Sequence, residues 1–195
     1  MKNKNTQSGF TLVELLVAIS IFAVFIVISS SSLVNIIKIE QKTNILRKTQ
    51  QDTRYILESI ARDAREAKGE LDQDGKRIIH SYNKNGNELE ILTTEEDVIK
   101  KTVYILDNNV IIKRQSEKNI GTSVFGPEKS VELNNIEDIK IESFDFEVIK
   151  DNGNLFRPPR LDVELKTESG RGRNFIKDEY RAHVELKTSV SPRSY

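Results

Sequence analysis

The chain has 195 residues, enough for one ordinary domain with an appendage and too few for two full-sized domains with separate cores. Thirty Lys and Arg balance thirty Asp and Glu, so net charge offers no bulk attraction for nucleic acid or an anionic bilayer. Cysteine is absent, which excludes a disulfide framework, thiolate catalysis and Cys-based zinc sites while leaving the redox compartment open.

Residues 10–37 read FTLVELLVAISIFAVFIVISSSSLVNII, 28 residues with one charge, Glu14. As a helix this run is roughly 42 Å long, more than the ~30 Å hydrocarbon core of a bilayer, so it can span one. Lys2 and Lys4 precede it with no acid before Glu14, and the positive-inside rule then predicts a cytoplasmic N-terminus and an exported body. The rest of the charge is unevenly placed. Residues 1–68 carry 10 basic and 6 acidic side chains (+4), residues 69–154 carry 11 and 18 (−7), and residues 155–195 carry 9 and 6 (+3).

An ordinary secretory signal fits the N-terminal run poorly, because its apolar stretch is too long and holds a carboxylate, although Ser29-Ser30-Ser31 supplies small residues for cleavage. A plain signal anchor gives no reason for Glu14. A carboxylate in a spanning helix costs roughly 2.5–3.5 kcal/mol at the centre and less near an end, so it calls for a partner. Thr11-x-x-Glu14 is itself a capping-box pattern, and an acid in the first turn suits the helix dipole.

Ser8-Gly9-Phe10-Thr11-Leu12-Val13-Glu14, nine residues from the start and directly before a spanning run, resembles the cleavage site of the type IV prepilin and type II secretion pseudopilin family. The resemblance implies a leader over 1–9, cut after Gly9 by prepilin peptidase, with N-methylation of Phe10. It implies that Glu14 meets the α-ammonium of a neighbouring subunit, an attraction strengthened by low dielectric that fixes axial register. It also implies, as partners, other major and minor pilins or pseudopilins, an inner-membrane assembly platform and the bilayer. Many members carry a proline in the apolar half; here Ser29–Ser32 stand there, and serine back-bonding can bend a helix without requiring it.

No glycine or proline interrupts residues 10–68, so one helix is predicted to run to Gly69 as its C′ residue. Beyond residue 37 the helix becomes amphipathic over 38–68. Ile45, Leu46, Thr49, Thr53, Ile56, Leu57, Ile60, Ala61, Ala64 and Ala67 form the covered stripe, and Arg54, Glu58, Arg62 and Glu66 a solvated face. Residues 69–195 read as an exported β-rich head, with strands expected over 77–82, 88–93, 102–106, 110–115, 136–148, 160–167 and 180–189. Reversals are marked by Asn85-Gly86, Asn108-Asn109 and Asp151-Asn152-Gly153. The predicted class is α+β, a long helix covering an antiparallel sheet. Pro158-Pro159-Arg160, the two last strands and the Ile60–Ala67 helix end are most similar to J-type minor pseudopilins and W-type minor pilins.

Candidates for chemistry are few. His80 and His183 both fall in predicted strands, and no nucleophile or acid–base pair is recognisable. Asp72-Gln73-Asp74-Gly75 lacks the downstream glutamate of a calcium loop and reads as a polar turn, so no metal or cofactor is expected. Arg171 and Arg173, with Arg157, Arg160, Lys177 and Arg181 nearby, form the one basic cluster, with nucleic acid or an acidic neighbouring subunit as its candidate partners. A solvated loop is the simpler reading. The sequence therefore points to a structural subunit that initiates or builds a type IV pilus or type II secretion pseudopilus. A DNA-binding minor pilin of a competence system and an exported adhesin or enzyme on a simple anchor are the rivals.

Overall fold

The computed structural model describes residues 10–68, 70–71, 77–79, 81–95, 97–122, 124–149, 159–169 and 181–193. One helix, α1 (Leu12–Glu66), precedes ten strands. These are β1 (Glu70–Leu71), β2 (Arg77–Ile79), β3 (Tyr82–Asn85), β4 (Glu88–Glu95), β5 (Val98–Asp107), β6 (Val110–Asn119), β7 (Lys129–Glu132), β8 (Ile139–Ile149), β9 (Arg160–Ser169) and β10 (His183–Val190). The architecture is α+β and pilin-like, with a long N-terminal helix and antiparallel sheets. Two compact units divide the chain, Met1–Thr43 and Asn44–Tyr195, and α1 contributes to both.

In the first unit the helix stands without a core. Every large apolar side chain from Phe10 to Ile39 is exposed, at 46–82% of its surface. The helix continues unbroken through Ser29–Ser32.

In the second unit the strands form a five-stranded sheet, β3-β4-β5-β6-β7, a three-stranded sheet, β8-β9-β10, and a β1-β2 pair. The predicted stripe is buried from Thr49 onward, whereas Leu46 is exposed and Ile45 half-buried. Ile56, Leu57, Ile60, Ala61, Ala64 and Ala67 pack in one cluster with Tyr82, Leu89, Ile91, Tyr104 and Ile111 from the larger sheet and Ile141, Phe144, Phe146, Leu161, Val163 and Leu165 from the smaller. Arg54, Glu58, Arg62 and Glu66 face solvent, as the alternating charges predict.

The turns follow from the residues that make them. Asn108 and Asn109 both adopt positive φ, 47° and 67°, and close the β5–β6 hairpin as a type I′ turn. Gly86, at φ 62°, takes the first central position between β3 and β4, with Asn87 following it, so that reversal lies one residue later than its Asn-Gly pair suggests. Asn134 joins the sheets: its Oδ1 accepts from Ile111 N at 2.8 Å, and its Nδ2 donates to Asn109 O and Ile139 O at 3.1 and 3.0 Å.

Several boundaries differ from the sequence reading. The helix ends at Glu66 rather than running to Lys68, because tertiary partners satisfy its last carbonyls: Tyr82 Oη donates to Ala64 O at 2.6 Å and Arg193 N to Arg65 O at 2.9 Å. Gly69 lies outside the described residues. The expected 77–82 strand is two strands, residues 136–138 are a turn ahead of β8, and β1 and β7 were not expected. A bulge between Ile141 and Ser143 shifts the buried phase of β8 from Ile139 and Ile141 to Phe144 and Phe146.

Candidate functional site

The N-terminal motif is assembled by the first turn of α1. Thr11 is the N-cap: its Oγ1 accepts from Glu14 N at 3.3 Å, and Glu14 Oε2 accepts from Thr11 N at 3.1 Å and from Thr11 Oγ1 at 3.2 Å. This reciprocal capping box satisfies two of the donors that a helix start leaves open. Both bonds to the carboxylate fall on Oε2, so Oε1 has no hydrogen-bond donor among the described residues. Phe10 precedes the cap and is 82% exposed. Farther along, Ser20 Oγ donates to Leu16 O at 2.8 Å, so this hydroxyl is satisfied within the helix.

Past the cap, α1 is apolar enough to cross a bilayer. None of its most apolar stretch is buried. The chain thus holds an acid at the first turn of an uncovered apolar helix. Residues 4–30 match the prokaryotic N-terminal methylation motif. The match supports a type IV pilin-like protein processed by prepilin peptidase, in a family that is generally structural rather than enzymatic, and it supports membrane anchoring and assembly with pilins. No curated protein and no solved structure matches the chain. The match ends at Ser30, so the head is characterised by its own geometry alone.

Of the other sites singled out in the sequence, Gly9, Arg171, Arg173, Arg157, Lys177, His80, Asp72–Gly75 and Asp151–Gly153 lie outside the described residues. Two members of the basic cluster are ion-paired: Arg160 Nη2 lies 2.7 Å from Asp162 Oδ2, and Arg181 Nη1 lies 2.8 Å from Glu168 Oε1. His183 is exposed on β10, with Nδ1 3.5 Å from Glu142 Oε1.

Two clusters in the head escaped the sequence reading. Tyr104 is fully buried; its Oη donates to Asp63 Oδ2 at 2.6 Å, and Lys113 Nζ lies 2.6 Å from the same oxygen. Burial, then the Asp63 charge, pushes the Tyr104 phenol well above its usual range, so it stays a donor. The triad clamps the helix to β5 and β6. No local signal announces it, because Asp63 looks like one more charge on a solvated helix.

The second cluster is a concavity of about 570 Å³ on the outer face of β8-β9-β10. Register sets Asp145 directly opposite Glu164, and Glu147 opposite Asp162, like charges that repel across adjacent strands. Lys187 offsets Glu164 at 2.9 Å, while Asp162 accepts from Ser189 Oγ at 2.6 Å and pairs with Arg160. These bonds hold the Asp162 and Glu164 carboxyls below their ordinary range, led by Ser189 for the first and Lys187 for the second. Asp145 and Glu147 have no cation partner among the described residues.

Proposed function

We propose that the chain is a minor pilin or pseudopilin, most like the J-type pseudopilins and W-type pilins, which helps initiate or build a type IV pilus or type II secretion pseudopilus. Residues 1–9 are the leader, 10–37 the membrane-spanning and filament-core segment, 38–68 its amphipathic continuation and 69–195 the exported head. Prepilin peptidase cuts between Gly9 and Phe10 and methylates the new Phe10 amine. The N-terminus faces the cytoplasm until assembly moves the subunit into the filament.

One observation carries this reading: a capped Thr11–Glu14 start, followed by an apolar helix that is nowhere buried in its own chain. In the single chain the capping box gives Glu14 a structural role. It does not explain leaving a carboxylate at the head of a segment bound for hydrocarbon. An α-ammonium at Phe10 of a neighbouring subunit does, because it neutralises the charge and uses the oxygen that the cap leaves open. Repeating that contact from subunit to subunit is heterologous, and heterologous contacts generate open helices. The pairing of Arg160 and Arg181 within the head weighs against a polyanion-binding role for the basic cluster.

Mass spectrometry of the N-terminus of the membrane-extracted protein from its host tests the proposal. A chain beginning at N-methylated Phe10 is expected. A chain beginning at Met1, or one cut near Ser31, removes the filament reading and leaves an exported domain on a plain anchor.

A further inference from the structure

We infer that Lys38 and Lys42 form a binding site for the phosphodiester headgroup of an anionic phospholipid, in the leaflet at the C-terminal end of the spanning segment. Between Glu14 and Lys38 lie 23 residues without a charge, about 34 Å of helix against a hydrocarbon core of ~30 Å. With Glu14 at one boundary, Lys38 falls at the other, at headgroup level. Lys38 and Lys42 stand four residues apart, on one helix face, with ammonium groups able to take a single phosphate between them. Both are exposed, and neither has an ion-pair partner among the described residues. Glu40, the only nearby acid in this unit, lies about 200° round the helix from Lys38 and cannot neutralise that face.

A long lysine stem buries its methylenes along the apolar helix while its head reaches the phosphate, which favours a lipid over an acidic protein as the occupant. Lys38 and Lys42 lie just beyond the apolar run, and an anionic headgroup offsets their charge where it sits. The inference rests on the membrane-spanning reading and not on filament membership.

The test reconstitutes the full-length chain in phosphatidylcholine bilayers containing spin-labelled phosphatidylglycerol or spin-labelled phosphatidylcholine, and compares how strongly each is immobilised around the protein. The chain is expected to prefer phosphatidylglycerol by on the order of tenfold, and K38Q/K42Q to lose most of that preference. Glutamine keeps the helix, and far-UV circular dichroism checks that it does. A preference unchanged in K38Q/K42Q, or lost instead in K2Q/K4Q, overturns the inference and leaves the spanning reading intact. Release of the chain from the bilayer by an alkaline wash overturns both.

Discussion

The two units of this chain answer the same physical demand in opposite ways. Asn44–Tyr195 buries its apolar groups against one another, with Ile60, Leu89, Ile111, Leu161 and Leu165 all fully enclosed. Met1–Thr43 encloses none of its large apolar side chains among the described residues, although it is the more apolar of the two. Hydrophobic burial is the main force in folding, so a segment that forgoes it within its own chain is built for an apolar medium outside, whether lipid or neighbouring helices. The head should therefore respond to substitutions through its stability, and the N-terminal unit through its insertion and assembly.

The largest effect on that contrast is expected at Glu14. E14Q keeps an acceptor for the Thr11 capping box but removes the charge, so under the proposed assembly it should reduce incorporation into filaments about a hundredfold or more, the consequence of losing a pair worth roughly 3–5 kcal/mol in low dielectric. Thermal unfolding of the head should stay unchanged. Wild-type assembly by E14Q would show that capping is the residue's whole role.

Next is the core. I60A, at a position with no exposed surface, should destabilise the detergent-solubilised chain by about 2–5 kcal/mol in thermal unfolding, while I21A, 65% exposed, should shift it by less than about 0.5 kcal/mol. Equal losses would mean that the two units share a core.

D63A leaves the Lys113 ammonium without its carboxylate and Tyr104 with only its longer bond to Ser59 O at 3.4 Å, at a cost of about 1–3 kcal/mol. D63N retains an oxygen for Tyr104 and should lose less, which the same unfolding measurement reads. Smaller still is S143A. Ser143 Oγ is buried beside the β8 bulge with no hydrogen-bond partner among the described residues, so alanine should be neutral or stabilising by up to about 1 kcal/mol. A clear loss would expose a partner for that hydroxyl.

Asp52 provides the gentlest probe. Burial, partly countered by Lys48, raises its carboxyl above the ordinary value. The folded state therefore holds that proton more tightly than the unfolded chain does, so the ionised form works against folding once pH rises above the unfolded-state pKa. D52N should slightly stabilise the head at neutral pH, and the gain should vanish as pH falls below the titration of Asp52. A gain independent of pH would assign it to something other than charge.

Much of the N-terminal unit was legible in residues 8–37, because each signal there is local. An apolar run of sufficient length and a Thr-x-x-Glu cap act within a few positions, and the capping box forms where the pattern placed it. The buried stripe from Thr49 to Ala67 was legible for the same reason, since helical periodicity alone selects the face. Leu46 escaped that rule because the head does not cover it.

The head was less transparent. Most of its longer strands and the Asn108-Asn109 reversal followed from composition, but β1 and β7 did not, and the phase change in β8 required the bulge. One extra residue moves every later side chain to the other face, and nothing in the Ile139–Ile149 string announces it. The division into two sheets was likewise invisible, since it depends on which edges Asn134 and Asn109 tie together.

By itself, then, the sequence determined the long apolar run, its cap and the covered face of the helix, all properties of neighbours three or four positions apart. Only the tertiary structure decided where the helix stops, which charge on it is a clamp, and how the buried hydroxyls are satisfied. Those outcomes turn on partners distant in the chain: Tyr82 on Ala64, Tyr104 on Asp63 across 41 positions, and Thr53 against Thr167 at 2.8 Å across 114. A buried polar group must find a partner to offset its lost hydration, and where that partner comes from is set by packing rather than by local pattern.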